Sequence, residues 1–278
     1  MIAVLSIIVV LLAVAFSVLL CRYARLRATI EKGKVSMNDQ LRDSEEDKAR
    51  LKRQLTQNVA HELKTPVSSI QGYLETIVSN SDLNVETKNQ FIQRCYAQSR
   101  RLSSLLADIS TLNKLEDAPQ GYEFRPVNIS ALLVSIQRDV SMPVEENHVT
   151  FRALVCQDVI VDGNPSLLYS VFRNLTDNSI AYGGKGVTIT VQVLSEGDSF
   201  YTFSFSDNGP GVASEHIPRL FERFYRVDKG RSRKMGGTGL GLAIVKNSVL
   251  LHHGTISVRK GDAGGLEFIF TLPKAVQS

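Results

Sequence analysis

The strongest constraint on this 278-residue chain lies at its beginning, where residues 2–20 carry no charge and only two polar side chains, Ser6 and Ser17. At about 1.5 Å per residue, a helix of this length spans the roughly 30 Å hydrocarbon core of a bilayer. A secretory signal peptide fits less well, because no basic segment precedes the apolar run. A lipoprotein signal also fits less well, because Leu19 and Leu20 stand where small residues should precede Cys21. We therefore predict a transmembrane helix over residues 1–21.

The charges that follow this segment predict its orientation. Five cations come within the next thirteen residues, at Arg22, Arg25, Arg27, Lys32 and Lys34. By the positive-inside rule, the remainder of the chain should lie in the cytoplasm, with only Met1 on the other side. We expect a single-pass protein of the cell membrane that contacts the lipid bilayer and has no extracytoplasmic domain of its own.

The overall charge and the cysteines exclude other classes. A net charge of +4, spread over the whole chain, is too weak to indicate nucleic-acid binding. The three cysteines, Cys21, Cys95 and Cys156, are scattered without metal-ligand spacing, which is typical of a reducing compartment and of structural roles.

The next segments have helical patterns. Residues 22–54 are good helix formers of mixed charge, interrupted by Gly33, and predict a helical connector. Residues 55–117 predict a helical hairpin, because apolar residues recur at steps of three, four and seven on both sides of a break at residues 79–82. Each helix has one apolar stripe, and a single hairpin cannot cover both stripes fully. We therefore expect a homodimer with a four-helix bundle.

The character of the chain changes after a predicted linker at residues 118–126, which contains Pro119 and Gly121. Five β-branched or aromatic runs predict strands at 149–155, 187–194, 200–207, 254–260 and 266–273, and the segments 129–140, 166–180 and 242–251 predict helices. The fold class is α+β, and residues 127–275 should form a mixed sheet with helices on one face.

The hairpin contains one candidate for nucleophilic chemistry, His61, in the sequence HELKTP. His61 lies off the apolar positions, so its ring should point outward, and a lone helical histidine is otherwise a solvated or core residue. Glu62 can accept the proton of one ring nitrogen and leave the other as a nucleophile. Thr65 lies one turn further on the same face. The simpler interpretations are surface charge for Glu62 and the start of a kink at Pro66 for Thr65.

Three segments of the second half suggest a nucleotide site. Asn174 and Asn178 lie four residues apart on one helix face, where amide oxygens suit a hard cation such as Mg²⁺. Asp207 ends a strand and precedes Gly209 and Gly211, although Asp-Asn-Gly-Pro-Gly is also an ordinary turn sequence. The run GGTGLGL at residues 236–242 leads directly into a helix, where backbone N–H groups and the helix dipole favour phosphate. Its spacing is that of neither a Rossmann nor a Walker A motif.

The segments HELKTP, NLTDN, DNGPG, FERFYR and GGTGLGL, in this order, resemble the five sequence boxes of two-component sensor histidine kinases over residues 51–275. The resemblance implies a dimerisation and phosphotransfer bundle followed by an ATP-binding domain of the Bergerat type, which gyrase and MutL-like ATPases share. It implies that His61 is phosphorylated from ATP with Glu62 as general base, and that the phosphoryl group passes to an aspartate of a cytoplasmic response regulator. In the reverse, phosphatase direction, Thr65 would position water.

The same resemblance implies the nucleotide contacts. Asp207 would bind the adenine amino group, with Tyr182 over the base, and Asn178 and Asn174 would bind Mg²⁺. Arg226 lies where the family often places a cation that meets the nucleotide. The remaining expected nucleotide-binding residues are Gly209, Gly211, Gly237, Thr238, Gly239, Leu240 and Gly241.

One position departs from the family pattern. Ala181 stands three residues after Asn178, where the family commonly has a cation that reaches the phosphates, and Lys185 is the nearest candidate to replace it. Ser179 replaces a usual alanine, which we expect to be harmless. Two alternatives remain open: an ATPase of the same superfamily that does not use histidine, and a membrane scaffold with a degenerate ATP site.

Overall fold

The structure is a computed structural model that describes residues 56–228 and 237–275. The chain divides into two compact units, Met1–His61 and Glu62–Ser278. The predicted transmembrane helix at 1–21 and the connector at 22–54 lie outside the described residues, as does most of the glycine-rich segment before Gly237. Within residues 56–228 and 237–275, no helix combines the length and apolar character needed to span a membrane.

Two helices form the predicted hairpin. The described part of helix α1 covers residues 56–79, and α2 covers Val85–Asp117. Asn84 caps α2, because its side chain accepts a hydrogen bond from the Thr87 backbone N–H at 2.7 Å. The Tyr73 and Phe91 rings stack across the hairpin with centroids 5.4 Å apart. The predicted break between the two helices is confirmed.

The elements after the hairpin alternate between helix and strand. A 3₁₀ turn covers Pro119–Gly121. The helices are α3 (Ile129–Asp139), α4 (Ser141–Glu146), α5 (Pro165–Tyr182) and α6 (Gly241–Leu251), with a 3₁₀ helix at Ser214–Arg219. The strands are β1 (Arg125–Asn128), β2 (Thr150–Leu154), β3 (Ile160–Gly163), β4 (Thr188–Glu196), β5 (Phe200–Asp207), β6 (Ile256–Lys260) and β7 (Leu266–Pro273).

Five of these strands form a mixed sheet in the order β2-β4-β5-β7-β6, and β1 pairs with β3 in a separate two-stranded sheet. In this sheet β2 and β4 pair in parallel, and the β4–β5, β5–β7 and β6–β7 pairs are antiparallel. In the central pair, β5 and β7 are antiparallel with Phe203 opposite Phe270 and Phe205 opposite Phe268. The register places these four phenylalanines on the same face of the sheet, because side chains alternate along a strand.

The core lies between that face and the helices. Phe172 of α5 packs edge-on against Phe203 and Phe270, with ring centroids 5.9 and 5.6 Å away, and all three rings are fully buried. Aromatic pairs in this geometry bury large apolar areas and fix the position of the helix that carries them. The core thereby holds α5 against β5, and both elements carry candidate site residues.

The five predicted strands and three predicted helices are confirmed, with shifts of one or two residues at their ends. The short strands β1 and β3 were missed, and β1 begins at Arg125, within residues 118–126. Each has four residues, which is too few to display an alternating pattern. Their pairing joins Arg125 to Gly163 across 38 positions of sequence, so only the folded chain reveals it.

Candidate phosphotransfer and nucleotide site

His61 and Thr65 are both exposed on α1, as their positions off the apolar stripe predict. The neighbouring Pro66 is buried, and the helix continues through it. An exposed imidazole one helical turn from an exposed hydroxyl is accessible to a second reactant.

Glu62 takes part in an ionic cluster that the sequence did not reveal. Its Oε2 accepts hydrogen bonds at 3.2 Å from Nη2 of Arg101 on α2 and from Nη2 of Arg226. The side chains of Arg226, Arg101 and Glu62 are only 6%, 12% and 16% exposed, so water screens the charges weakly. Arg226 also donates to the Gly237 carbonyl at 2.6 Å. Arg226, which the resemblance assigned to the nucleotide, therefore contacts the hairpin in this structure.

Asp207 is held at the end of β5 by two donors. The Ser179 hydroxyl of α5 donates to Oδ2 at 2.8 Å, and the Gly209 backbone N–H donates to Oδ1 at 3.0 Å. The side chain is partly exposed, whereas Ser179 is buried. The carboxylate is thus fixed in one orientation while part of it still faces outward.

Glycines allow three backbone segments to meet at this carboxylate. A Cβ at Gly209 would lie 2.7 Å from the Gly183 Cα, and a Cβ at Gly265 would collide with Asp207. Gly211 has a φ of +66°, which L side chains rarely adopt, and its Cβ would lie 2.9 Å from the Gly265 carbonyl oxygen. The end of α5, the turn after β5 and the β6–β7 turn therefore form one closely packed wall.

The amide of Asn174 is oriented by its own helix. Its Nδ2 donates to the backbone carbonyl and the hydroxyl of Ser170 at 2.8 and 3.0 Å, which leaves Oδ1 facing the first residue of α6. A Cβ at Gly241 would lie 2.6 Å from this Oδ1, so only glycine leaves the oxygen room. Asn178 lies one turn further along α5 and is partly exposed. Two amide oxygens next to a helix N-terminus fit a hydrated Mg²⁺ that binds phosphates.

The glycine-rich segment before α6 faces the hairpin. The Thr238 hydroxyl donates to Asp108 Oδ2 of α2 at 2.7 Å and accepts from the Leu240 N–H at 3.2 Å. Burial raises the pKa of Asp108, and the hydrogen bond from Thr238 partly offsets this. Gly239 has a φ of +75°, and its Cβ would lie 3.1 Å from Arg226 Nε.

An apolar cluster accompanies these polar contacts. Leu240, Ala243 and Ile244 of the α6 region are buried against Leu105 and Leu112 of α2. Leu63, Ile109 and Phe224 pack around this cluster, and Arg223 pairs with Glu116. Leu240 was expected at the nucleotide, but its side chain lies in this cluster, so only its backbone can serve phosphates in this conformation.

Several of the expected residues contact partners on other elements. Ser179 and Asp207 are in contact, Gly209 adjoins the Gly183 backbone one residue beyond Tyr182, and Asn174 faces Gly241. Lys185, proposed as a substitute for the missing cation at Ala181, is exposed on the loop after α5. Arg226 contacts Glu62, and Thr238 contacts Asp108.

Sequence reasoning missed Ser179, Gly265 and Asp108 as parts of this site. Ser179 was expected to be harmless, yet it bonds directly to Asp207. Two features of the sequence could have indicated this role: Ser179 directly follows Asn178, and it lies on the face of α5 that the apolar periodicity predicts to be buried. Gly265 and Asp108 had none, because their partners lie 58 and 130 positions away at Asp207 and Thr238.

The His252-His253-Gly254 turn has a structural role. His252 is fully buried, accepts a hydrogen bond from the Asn164 N–H at 2.9 Å and stacks on Phe124 with ring centroids 4.8 Å apart. His253 is exposed. One ring is buried with both nitrogens hydrogen-bonded and the other is exposed, which makes them unsuitable as a pair of metal ligands.

Comparison with known proteins matches both halves of the chain to family models. Residues 51–118 match the His Kinase A (phospho-acceptor) domain, and residues 163–276 match the histidine kinase-, DNA gyrase B- and HSP90-like ATPase domain. The phosphate regulon sensor protein PhoR of Haemophilus influenzae is 37% identical over 78% of this chain and 50% of its own length. The sensor-like histidine kinase SenX3 of Mycolicibacterium smegmatis is 30% identical over 84% of this chain and 61% of its own length.

Solved structures share the fold. The histidine kinase AdeS of Acinetobacter baumannii has a TM-score of 0.61 and 22% identity, covering 78% of this chain and 98% of that one. The histidine kinase ThkA, solved in complex with the response regulator protein TrrA, has a TM-score of 0.62 and 20% identity, covering 80% of this chain and 61% of that one. This chain spans about half to three-fifths of the length of the two curated relatives. The two domain matches and these relatives show that the chain belongs to the family of two-component sensor histidine kinases.

Proposed function

We propose that this chain binds ATP, phosphorylates His61 and passes the phosphoryl group to an aspartate of a response regulator. One observation carries the proposal: an exposed histidine on a helix occurs in the same chain as the wall formed by the end of α5, the turn after β5 and the β6–β7 turn, with the start of α6 next to Asn174. Asp207 meets Gly265 across 58 positions of sequence, and Asn174 meets Gly241 across 67. Convergence of a fixed carboxylate, an oriented amide and a glycine-rich helix N-terminus is what a purine nucleotide with its phosphates requires.

The roles within the nucleotide site follow from the chemistry of each group. Asp207 accepts the hydrogen bond of the adenine amino group, Tyr182 covers the base, and Gly209 and Gly211 allow close approach. The N–H groups of Gly237, Thr238, Gly239, Leu240 and Gly241 serve the phosphates, and Arg226 meets the nucleotide once it leaves Glu62. The oxygens of Asn174 and Asn178 hold Mg²⁺, which when bound neutralises phosphate charge.

The proposed chemistry is an in-line displacement at phosphorus. A ring nitrogen of His61 forms a bond to the γ-phosphorus, the bond from that phosphorus to the β–γ bridging oxygen breaks, and ADP leaves with the electron pair. Glu62 accepts the proton of the other ring nitrogen, which keeps the imidazole neutral as its nucleophilic nitrogen is consumed. The phosphoryl group then moves from His61 to a carboxylate oxygen of the regulator.

The pairing of Glu62 with Arg226 bears on this step. In this conformation Glu62 Oε2 accepts hydrogen bonds from two guanidinium groups, Arg101 and Arg226. We propose that Arg226 leaves Glu62 when nucleotide binds, whereas Arg101, which belongs to the same hairpin, remains. The exchange would leave Glu62 Oε2 with one donor fewer at the moment at which the γ-phosphate arrives, so that it can accept the His61 proton.

We propose a homodimer with a response regulator as the partner. Apolar side chains remain exposed on the hairpin, including Leu74 at 47% and Ile92 at 46%. A second hairpin that formed a four-helix bundle would cover them. The related fold of ThkA was solved with the response regulator TrrA, which supports the same class of partner here. Thr65 would position the water that hydrolyses the regulator's phosphoryl group in the phosphatase reaction.

We also propose the domain limits and the location that the sequence predicts. Residues 1–21 anchor the chain in the cell membrane and residues 22–54 connect this anchor to the hairpin at 55–117. A linker at 118–126 leads to the catalytic domain at 127–275, on the cytoplasmic side. Extraction of isolated membranes with alkaline carbonate tests the anchor: the chain should stay in the pellet, and release into the supernatant would contradict it.

Incubation of the full chain with γ-labelled ATP tests the catalytic proposal. The protein should acquire label that is acid-labile and alkali-stable, as a phosphohistidine is, and His61→Gln should remove it. The matched control is His148→Gln, which changes another exposed histidine and should label normally. Label that persists in His61→Gln would refute the assignment. ATP hydrolysis unaffected by His61→Ala would instead indicate an ATPase that does not use histidine.

A further inference from the structure

The hydroxyl of Ser179 is placed to act on Asp207. Ser179 lies on α5 and is 3% exposed, and its Oγ donates to Asp207 Oδ2 at 2.8 Å. The two residues are 28 positions apart and lie on different elements, α5 and the end of β5. The hydrogen bond therefore joins the helix layer to the sheet at the proposed nucleotide site.

This hydrogen bond completes the restraint of the carboxylate. The Gly209 N–H binds Oδ1 at 3.0 Å, so each carboxylate oxygen has one fixed donor from the protein. A carboxylate offers about four lone-pair directions, and the two that remain point away from these donors. Without the hydroxyl, one donor would remain and the carboxylate could rotate about its Cβ–Cγ bond. Such freedom is lost again on binding, at a cost in affinity.

The direction of the hydrogen bond also determines what the hydroxyl can offer a ligand. A serine hydroxyl has one proton and two lone pairs. Because Ser179 Oγ donates to Asp207 Oδ2, its proton is committed to Asp207, and the hydroxyl presents only lone pairs to a ligand. Asp207 and Ser179 together form a site that accepts hydrogen bonds. An acceptor site favours a purine with an amino group at C6 and disfavours one with a carbonyl there.

We propose that Ser179 is a positioning residue for base selectivity, which orients Asp207 so that the site favours a 6-amino purine. This inference rests on the proposed function, since it concerns the same nucleotide site. It reverses the expectation that serine in place of alanine is harmless at this position. The proposal concerns selectivity among nucleotides and leaves phosphoryl transfer itself to other residues.

The test compares two nucleotides on three forms of the full chain. The nucleotides are ATP and purine riboside triphosphate, which has hydrogen in place of the amino group, and binding is measured by calorimetric titration. The forms are wild type, Ser179→Ala and Thr176→Val. Thr176 is a matched control because it is a buried hydroxyl on the same helix, with its hydrogen bond directed to the Phe172 carbonyl at 2.8 Å.

Ser179→Ala should weaken ATP binding about threefold to tenfold, the range expected for one hydrogen bond, and should change purine riboside triphosphate binding less than about twofold. Thr176→Val should leave the ratio of the two affinities unchanged. An equal loss for both nucleotides, accompanied by a lower melting temperature, would show a structural role only and overturn the proposal. Unchanged ATP binding in Ser179→Ala would overturn it as well. Absence of ATP binding by wild type would instead refute the proposed function, and the inference with it.

Discussion

At the scale of single residues, His252 shows how one side chain joins two elements. Its Nδ1–H donates to the Ser248 carbonyl at 2.6 Å, and its Nε2 accepts from the backbone N–H of Asn164, the residue that caps α5. Nε2 must therefore be unprotonated. Burial lowers the pKa of His252, and the hydrogen bond to Ser248 opposes this only in part. The neutral ring is a condition for the native contact between α6 and α5.

The pH dependence of stability should report this condition. The pKa of an unfolded histidine is about 6.5. Because the folded value is lower, the contribution of His252 to the free energy of unfolding is complete above about pH 6.5 and is lost as the pH falls toward the folded pKa. We expect urea unfolding, followed by circular dichroism between pH 7.5 and 5, to show this loss in wild type and a shallower one in His252→Gln. His253→Asn changes an exposed neighbour with a φ of +57°, which asparagine tolerates, and should keep the wild-type slope. Identical slopes in all three proteins would contradict the assignment.

Gly241 offers a second prediction at this scale. The Cβ of Gly241→Ala would lie 2.6 Å from Asn174 Oδ1, the end of a side chain that can rotate away. The fold should therefore survive, with a melting temperature close to that of wild type, while the displaced amide loses its Mg²⁺-binding position. We expect ATP affinity in the presence of Mg²⁺ to fall about tenfold or more, as removal of a group that orients a metal ligand does.

The control for this variant is Gly72→Ala. Gly72 lies in α1, where an added Cβ meets nothing within 4 Å. Alanine should raise helix stability by about 0.5–1 kcal/mol and leave nucleotide binding unchanged. Equal ATP affinity in Gly241→Ala and wild type would contradict the role given to Asn174.

At the scale of elements, the apolar stripe of the hairpin has two parts. Near the end of α2, Leu105, Leu112 and Leu115 are buried, the first two of them against the α6 region. Toward the turn between the helices, Leu74 and Ile92 are about half exposed. The periodicity predicted one continuous stripe, and the structure divides it between an intramolecular contact and a surface that the proposed dimer would bury.

A charge on the exposed part should separate the dimer. Leu74→Glu would place a carboxylate in the interior of the four-helix bundle, where an unpaired charge is strongly unfavourable. We expect light scattering after size-exclusion chromatography to give the mass of a monomer. Val134→Glu adds the same charge to a comparably exposed valine of α3, at 43%, and should remain a dimer. A dimeric Leu74→Glu protein would place the interface elsewhere.

Prediction from sequence succeeded best for long elements. Each of these elements has eight or more residues, so that its apolar pattern repeats often enough to be recognised. They are the helices α2, α3, α5 and α6 and the strands β4, β5 and β7. The strands β1 and β3 have only four residues each, and their existence depends on pairing with each other. For the site, the glycines and the Asn174–Asn178 spacing were evident from sequence, whereas the side-chain partners of Asp207 and Glu62 were not.

At the scale of the whole described molecule, the segment between β5 and α6 is tied to the hairpin by three polar contacts. They join Arg226 to Glu62, Thr238 to Asp108 and Arg223 to Glu116. They surround the apolar cluster formed by Leu105, Leu112, Leu240, Ala243 and Ile244. The segment that we propose to bind phosphate therefore holds the sandwich against α2 in this conformation.

Removal of the most buried of these contacts should loosen the attachment. Arg226→Ala leaves Glu62 with one cation fewer at a site that is 16% exposed, and breaking a buried pair is costly. We expect a thiol introduced by Ala243→Cys, buried in the cluster, to react with a maleimide at least about tenfold faster in the Arg226→Ala background. Mass spectrometry of the peptide separates this thiol from the native cysteines.

Arg219→Ala provides the comparison. Its ion pair with Glu222 is more than half exposed, at 54% and 51% of the two side chains, and such pairs contribute little. In the Arg219→Ala background, the thiol of Ala243→Cys should react at the same rate as in the protein that carries Ala243→Cys alone. Equal rates in the Arg226→Ala and Arg219→Ala backgrounds would show that the apolar cluster alone maintains the contact.

The sequence by itself determined the helical hairpin, the α+β sandwich, the family and the candidate residues, because each depends on local spacing or on short ordered motifs. The tertiary structure alone decided how the polar groups are partnered. Ser179 binds Asp207 across 28 positions, Thr238 binds Asp108 across 130, and Arg226 binds Glu62 across 164. Periodicity determines which face a side chain occupies. The partner on that face depends on how distant elements pack, since hydrogen bonds form only within about 3 Å and at favourable angles.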